Sequence, residues 1–523
     1  MRILIFHGYL LAGTGSNVYN AELAAALVRQ GHEVHLLSQE RHPEQLAFVD
    51  AAGDWDSGSL QLRRLRQQPA GAGSCTVYRP DIGGLLPVYV ADRYEGLEAR
   101  TFAHCSEDEL AAYVAANVRA VAEVCELAGP QRALANHLVM GPLILARAVG
   151  GRVPYAVKVH GSALEYTVKP QPERFLAPAR EGLAGAAGVL VGSRHTALSL
   201  WDAVRQPDLP GRTRLGPPGV DVVQFVPRGP EQAAAGVRSL AERLAAEGPG
   251  ARAAGDSAFA RDTAAAARAI ASLDPLHERL VAFVGKLIVS KGVDLLVAAW
   301  PLVLSEVPDA RLVVVGFGAY REGLTELIGA LGAGALGRAR ELALAGRALE
   351  GAQARPLRHL LAFLDGLRGP ARERYLAAAE RLGERVVLTG RLEHDELADL
   401  LPACEAVVVP STFPEAFGMV AAEAAACGAL PVSAAHSGLV EVSDVLAREL
   451  PAAIAPYVSF PVDDGAVQAL AARLVGWLQA DAALRSQARE RLVETVWERW
   501  SWEGVARGVL AATGGELEGL GRP

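Results

Sequence analysis

Two glutamates stand where a predicted loop leads into a predicted helix. The apolar run at residues 406–409 is typical of a buried strand, and two prolines interrupt the chain soon after it. Helix-forming residues then run from Phe417 to Gly428, which puts Glu415 before the helix and Glu423 two turns into it. The unpaired N–H groups and the dipole at such a helix start favour an anion. Helix capping alone would also explain two carboxylates here, so their function depends on other residues.

Two lysines follow another predicted strand. The apolar run at residues 279–284 predicts this strand, and Lys286 and Lys291 lie in the glycine-containing loop after it. A loop of this kind can present cations and backbone N–H groups to a diphosphate. Taken alone, however, a pair of loop lysines is ordinary surface charge.

The first predicted strand, residues 2–7, also leads through a glycine-containing loop into a helix. Gly13 and Gly15 permit the backbone to approach a phosphate or a sugar closely. The loop lacks the third glycine of the dinucleotide-binding pattern G-x-G-x-x-G, because Val18 stands there. Farther along, His160 follows a predicted strand at the edge where α/β proteins bind ligands, and His137 is a second, weaker candidate.

Strands alternate with amphipathic helices along the whole chain, which predicts an α/β fold with parallel sheets. Two such series are present, as expected for two facing Rossmann-like domains with a ligand cleft between them. The expected divisions are an N-terminal domain at 1–227, a helical insertion or linker at 228–278, and a C-terminal domain at 279–502 with a helical insertion at about 320–380.

Composition excludes several functional classes. The 523 residues carry a net charge of −8, so no basic surface for nucleic acid is expected. The cysteines are scattered without a CxxC pair, as in a reducing cytoplasm, and they do not suggest structural zinc. No apolar run is long enough to span a membrane, and the N-terminus predicts a strand instead of a signal peptide. We therefore expect a cytoplasmic protein with at most peripheral membrane contact.

The carboxylates and the lysines together carry a family resemblance. Residues 414–432 resemble the donor-site motif of retaining GT-B glycosyltransferases, specifically glycosyltransferase family 4 (glycosyl transferases group 1), in the Glu-x7-Glu spacing, the Phe-Gly after the first glutamate and the Gly-x-x-Pro-Val exit. The lysine loop resembles the Gly-Arg-Leu-x-x-x-Lys-Gly signature of the same family. Lys286 departs from that signature, since it keeps the positive charge of arginine but not its bidentate fork.

The resemblance implies roles for individual residues. It implies transfer with retention of anomeric configuration from a nucleotide-sugar co-substrate, with neither a cofactor nor a metal, and a C-terminal helix at about 503–523 that packs back on the first domain. The implied catalytic residues are Lys286, Lys291, Glu415 and His160. The implied donor-binding residues are Gly13, Gly15, Arg391, Leu392, Phe417, Gly418, Met419, Val420 and Glu423. Acceptor contacts are implied for Asn17, Tyr19 and His137.

The sequence does not decide whether the acceptor is a carbohydrate, a polyol or a lipid-linked molecule. The segment Gly-Ser-Asn-Val-Tyr is similar to one in the inositol-phosphate N-acetylglucosaminyltransferases of mycothiol synthesis, in which the asparagine, here Asn17, lies at the acceptor. No convincing match exists to the basic residues that hold the inositol phosphate in those enzymes. A nucleotide-sugar 2-epimerase of the same fold and a non-catalytic sugar-nucleotide-binding protein are the alternatives, and the oligomeric state is open.

Overall fold

A computed structural model describes residues 1–56, 58–67, 72–90, 94–247 and 261–523. The chain divides into two compact units. Unit 1 comprises Met1–Gly219 and Trp500–Pro523, and unit 2 comprises Val220–Arg499. Within the described residues, no helix is both long enough and apolar enough to cross a lipid bilayer.

Unit 1 is built on a mainly parallel sheet. Its strands are β1 (Arg2–Phe6), β2 (Glu33–Leu37), β3 (Ala51–Asp56), β4 (Ser59–Arg64), β5 (Ser74–Arg79), β6 (Leu85–Val88), β7 (Glu98–Thr101), β8 (Arg132–Asn136), β9 (Tyr155–Val159), β10 (Gly188–Val191) and β11 (Thr213–Leu215). The order in the large sheet is β11-β10-β9-β8-β1-β2-β5-β3-β4, and β6 pairs with β7 in a separate sheet. Only the edge pair β3–β4 of the described sheet is antiparallel. The central strands β1, β8 and β9 are buried along nearly their whole length, as expected for a parallel sheet with helices on both faces.

The helices of unit 1 connect these strands. They are α1 (Gly15–Arg29), α2 (Glu107–Ala128), α3 (Gly141–Val149), α4 (Pro172–Ala184), α5 (Arg194–Val204) and the short α6 (Leu209–Arg212). Helix α2 begins with a capping box, in which Ser106 accepts from the backbone N–H of Glu109 and the Glu109 side chain accepts from the N–H of Ser106.

Unit 2 has a second parallel sheet. Its strands are β12 (Arg279–Val284), β13 (Ala310–Val315), β14 (Val386–Gly390), β15 (Cys404–Val409), β16 (Leu430–Ala434) and β17 (Ser459–Phe460), in the order β14-β13-β12-β15-β16-β17. Its helices are α7 (Pro230–Ala246), α8 (Thr263–Ala271), α9 (Val293–Glu306), α10 (Arg321–Gly332), α11 (Leu336–Ala345), α12 (Arg358–Gly366), α13 (Gly369–Ala379), α14 (Leu382–Arg385), α15 (His394–Leu400), α16 (Met419–Ala426), α17 (Ser437–Glu449), α18 (Ala466–Leu478) and α19 (Ala482–Arg499).

The chain then returns to unit 1 in helix α20 (Trp502–Gly514), which packs against α1, β8, β9 and β10. Trp502 is fully buried there, and a Cβ on Gly219 would lie 2.6 Å from its indole ring. The first segment of unit 1 ends at this closely packed glycine.

The first division of the chain therefore lies earlier than the expected residue 227. Phe225 is buried with its ring 4.9 Å from that of His394, and Arg228 donates to Asp399 at 2.7 Å, so both belong to unit 2. Helices α7 and α8, which fall in the expected insertion at 228–278, pack within unit 2, α7 against α15 and α8 against β14. Residues 248–260 of that predicted insertion lie outside the described residues.

The predicted insertion at 320–380 corresponds to helices within the connection from β13 to β14. These helices are α10 to α13, of which α10 and α13 pack against α9 and α12 packs on α18.

Candidate functional site

The strand order of unit 2 reverses between β12 and β15, and this reversal brings the predicted residues together. From β12 the chain continues to β13 and β14 on one side of the sheet, and from β15 it continues to β16 and β17 on the other side. The connections therefore diverge at this pair and leave a crevice at the carboxyl ends of the two strands. Lys291 lies in the loop after β12, and Glu415 lies in the loop after β15. The Lys291 ammonium forms an ion pair with Oε1 of Glu415. Two residues that are 124 positions apart in the sequence thus meet at the topological switch point.

The lysine loop is held on both sides by backbone hydrogen bonds. Leu287 N donates to the carbonyl of Phe317 at 2.7 Å, and Thr412 N donates to the carbonyl of Ser290 at 2.9 Å. The loop ends at Gly292, which has φ +68° and would place a Cβ 2.0 Å from the carbonyl of Pro410. Only glycine fits this close approach, and the loop after β15 therefore fixes the position of the lysine loop.

Lys286 and Arg391 share an aromatic ring. The Lys286 Nζ atom and the Arg391 guanidinium carbon each lie 5.8 Å from the ring centroid of Phe317. Arg391 also donates to Glu393 at 2.9 Å, and Leu392 beside it is buried. Phe317 was not among the predicted site residues, although it stands between two glycines after β13. The two flanking glycines could have indicated this residue, since they permit the turn to pack against the lysine loop.

A closed hydrogen-bond network holds Glu415. Ser411 Oγ donates to its Oε1 at 2.6 Å, and the Glu415 N–H donates to Ser437 Oγ at 2.9 Å. His436 Nε2 lies 2.7 Å from the carbonyl of Ser411, which only accepts, so this nitrogen carries the proton. In the neutral ring Nδ1 then accepts from Ser437 Oγ at 3.0 Å. The side chain of Glu415 stays partly exposed within this fixed frame.

Helix α16 begins beside this network. Gly418 precedes it with φ +104°, and the backbone of Met419 and Val420 forms its first turn, with the buried Phe417 just before. Because the helix begins at Met419, Glu423 lies just over one turn into it, not two turns as expected. Its buried carboxylate lies 2.9 Å from Nε2 of His394. The first N–H groups of α16, which follow Glu415 closely in the chain, have no acceptor four residues earlier within the helix.

Unit 1 has a reversal of its own, between β1 and β8. A histidine cluster, defined as His7, His137 and His160, follows β1, β8 and β9. The ring centroid of His137 lies 5.6 Å from that of His7 and 4.9 Å from that of His160. Burial lowers the pKa of His7 to about 4 and lowers the pKa of the other two well below the usual range. The cluster is therefore neutral at pH 7 and offers hydrogen bonds, not charge.

His137 and His160 differ in their partners. Among the described residues, neither ring nitrogen of His137 has a hydrogen-bond partner, although the side chain is buried. Its backbone has φ +70°, a strained conformation for a residue with a Cβ. His160 Nε2 lies 2.8 Å from Oδ1 of Asn136, whose amide donates to the carbonyl of Phe6. Buried polar atoms without partners mark a place where a ligand or water completes the bonding.

Asn17 and Tyr19 are turned toward the interior of unit 1. Asn17 is buried, lies 3.0 Å from His7 Nε2 through its Oδ1, and donates to the carbonyl of Ala12 at 2.7 Å. Tyr19 is buried with its ring 5.0 Å from that of His160. Both side chains therefore contact the histidine cluster, and like His137 they are buried in this conformation. Residue type and spacing alone did not reveal this orientation.

The glycines of the first loop lie at the start of α1. Gly13 has φ +92°, and the exposed Gly15 is the first residue of the helix, after Thr14. Thr14 makes no side-chain cap, so the first N–H groups of α1 point out of the helix without an intrahelical acceptor. This is the geometry in which a helix N-terminus can receive a phosphate or a sugar oxygen.

Asp294, in the first turn of α9, gives the stability a pH dependence. Burial raises its pKa to about 7 from 3.8, so the folded state binds more protons than the unfolded state between these values. The contribution of Asp294 to stability is then greatest below about pH 4 and is lost as the pH rises to about 7. We expect Asp294→Asn to raise the melting temperature by about 2–4 °C or more near pH 8, and by less near pH 5. The exposed Asp202→Asn is the control, and a gain from Asp294→Asn that does not vary with pH would contradict this assignment.

Comparison with known proteins gives matches in both units. Residues 14–208 match the family described as glycosyl transferase 4-like domain, and residues 356–490 match the family described as glycosyl transferases group 1. A D-inositol 3-phosphate glycosyltransferase of Segniliparus rotundus is 33% identical over 258 residues, which cover 49% of this chain and 44% of that protein. A protein of the same name from Xylanimonas cellulosilytica is 28% identical over 499 residues, 90% of each chain.

Solved structures resemble the whole chain at low sequence identity. Sucrose-phosphate synthase from Thermosynechococcus elongatus has a TM-score of 0.55 at 20% identity and covers 98% of this chain and 99% of its own. Anabaena HepE, solved in complex with UDP and glucose, has a TM-score of 0.56 at 16% identity with the same coverage. At this level of identity the likeness concerns the fold.

Proposed function

Because the chain belongs to the group 1 glycosyl transferases and has the GT-B fold, we propose that it transfers a sugar, with retention of configuration, from a nucleotide diphosphate donor to a hydroxyl group of an acceptor. The observation that carries this proposal is the ion pair of Lys291 with Glu415 at the switch point of unit 2. A cation fixed beside a carboxylate and a helix N-terminus suits a leaving diphosphate next to a sugar.

The reaction breaks the bond between the anomeric carbon and the β-phosphate oxygen. In the proposal Lys286, Lys291 and the N–H groups around Gly418 and Met419 stabilise the charge that develops on this oxygen. The acceptor oxygen forms its bond to the anomeric carbon on the face from which the phosphate departs. The proton of the acceptor hydroxyl passes to the departing phosphate, so the proposal requires no separate general base.

The two glutamates have separate roles in this proposal. Glu415 hydrogen-bonds a hydroxyl of the donor sugar, which is supported by its partly exposed carboxylate and its fixed backbone. Glu423 receives the ribose hydroxyls through the oxygen that does not face His394. Arg391 and Leu392, with the backbone around them, hold the nucleotide base. We assign UDP or GDP as the nucleotide class, and HepE bound to UDP supports the first.

Unit 1 receives the acceptor and the sugar in this proposal. His160 contacts the donor sugar, and the unpaired ring nitrogens of His137 bind an acceptor hydroxyl. The relatives are named for D-inositol 3-phosphate, which favours a polyol among the open acceptor classes. We also propose a cytoplasmic location, supported by cysteines that are all free.

A thermal-shift screen of the intact chain tests the function. We expect UDP-sugars or GDP-sugars to raise the melting temperature and NAD to have no effect, because a ligand that binds only the folded state stabilises it. Transfer to inositol, its phosphates and simple sugars is then assayed with the stabilising donor. Conversion of the donor to an epimer without an acceptor would indicate an epimerase, and binding without any turnover would indicate a scaffold protein. Stabilisation by NAD alone would contradict the proposal.

A further inference from the structure

The helical connection from β13 to β14 in unit 2 reaches the lysine loop through one carboxylate. Glu350 Oε2 accepts a hydrogen bond from the backbone N–H of Val289 at 2.9 Å. Val289 is the first residue of a 3-10 turn, Val289–Lys291, whose last residue is the lysine paired with Glu415. The carboxylate therefore accepts from the N–H at the start of this turn.

Glu350 is itself firmly held. It ends a 3-10 turn, Arg347–Glu350, and the Arg347 guanidinium donates to its Oε1 at 2.8 Å. Gly346 before this turn has φ +50° and would place a Cβ 2.0 Å from the carbonyl of Arg355. The side chain of Glu350 is 9% exposed. Since both oxygens are occupied and the backbone is fixed, the acceptor is presented to Val289 in one place.

The position of Glu350 in the chain makes this contact informative. It lies between α11 and α12, in a part of the chain that neither family match covers. The lysine loop, which also lies outside both matches, is thus completed by a side chain 61 residues farther along the chain. We infer that Glu350 is a positioning residue, which orders the Val289–Lys291 turn and so orients the Lys291 ammonium toward the leaving phosphate. The part of this inference that concerns the leaving phosphate rests on the proposed function, whereas the ordering of the turn by Glu350 does not.

Three substitutions at Glu350 separate its hydrogen bond from its bulk and its charge. Glu350→Ala removes the acceptor, Glu350→Gln keeps an oxygen for the Val289 N–H, and Glu350→Asp keeps the charge but withdraws it by one methylene. Glu326→Ala is the matched control, because Glu326 accepts from Arg338 in the same region without contacting the loop. Each variant is compared in kcat and donor KM and in the amide hydrogen exchange of the peptide that covers the lysine loop.

Glu350→Ala should lower kcat/KM for the donor about tenfold, the size expected when a buried N–H loses its acceptor. It should also speed exchange in the loop, whereas Glu350→Gln and Glu326→Ala should match the wild type within about threefold. If Glu350→Ala does not fold, Glu350→Asp should show the same two effects more weakly. Wild-type exchange and kinetics in Glu350→Ala, or equal losses in Glu350→Gln, would overturn the inference. If the wild type transfers no sugar, the proposed function fails, and the exchange data alone decide whether Glu350 orders the loop.

Discussion

Replacing Lys291 with alanine is expected to abolish sugar transfer and to leave the fold intact. The ammonium is the fixed cation at the switch point of unit 2, where it pairs with Glu415. Loss of a preorganised charge at a developing oxyanion costs at least about a hundredfold in kcat. The ion pair is partly exposed, and its loss should change the free energy of unfolding by about 1 kcal/mol or less. Steady-state kinetics and a melting curve of Lys291→Ala measure the two effects.

Lysine is rare in this chain, which supplies a matched control. Its lysines are Lys158, Lys169, Lys286 and Lys291, and arginine is its other permanent side-chain cation. Lys169 also forms an ion pair with a glutamate, Glu165, at 2.8 Å, but lies in unit 1, whereas Lys291 lies in unit 2. Lys169→Ala should therefore keep wild-type kcat. Near wild-type turnover in Lys291→Ala would refute its role as the leaving-group cation.

The second large effect is expected at Glu415. Glutamine in its place retains the shape and the backbone bond to Ser437 but removes the charge that faces Lys291. If Glu415 contacts the sugar as the transition state forms, kcat should fall about a hundredfold while the donor KM changes little. Kinetics measured at saturating acceptor, with donor concentration varied, separate the two parameters.

Glu423 is the matched control for this prediction. It stands on the same segment, but its buried carboxylate lies against His394 and it is assigned to the ribose. Glu423→Gln should therefore raise the donor KM about tenfold and leave kcat within about threefold of the wild type, as expected for loss of uniform binding. The reverse pattern, with kcat lost at Glu423 and KM raised at Glu415, would show that the two roles are exchanged.

Much of the fold followed from local sequence patterns. Apolar runs with β-branched residues, alternating with amphipathic helices, predicted the parallel α/β organisation, and the GT-B fold is confirmed. The patterns did not predict the strands in residues 51–101, where β3 to β7 include an antiparallel edge pair and a separate small sheet. Short strands with mixed polar residues carry little periodicity, and their pairing depends on partners distant in the chain.

Boundaries and side-chain directions were predicted less well. The chain leaves unit 1 at Gly219, earlier than expected, because Phe225 packs against His394. Asn17 and Tyr19 point inward, where they contact the histidine cluster. Such contacts join residues far apart in the chain, so neither composition nor spacing can indicate them.

The sequence by itself determined which residue types follow which strands. Each apolar run predicts a strand, and the lysines, glutamates and glycines that come after it can be read directly from the chain. Parallel strands end at one edge of a sheet, and together with the family resemblance this led to the prediction of Lys291 and Glu415 as members of one site. Only the tertiary structure decided which groups hold them in place. The acceptor for Val289 is Glu350 in the connection from β13 to β14, and the frame of Glu415 closes through His436, since both depend on packing between distant parts of the chain.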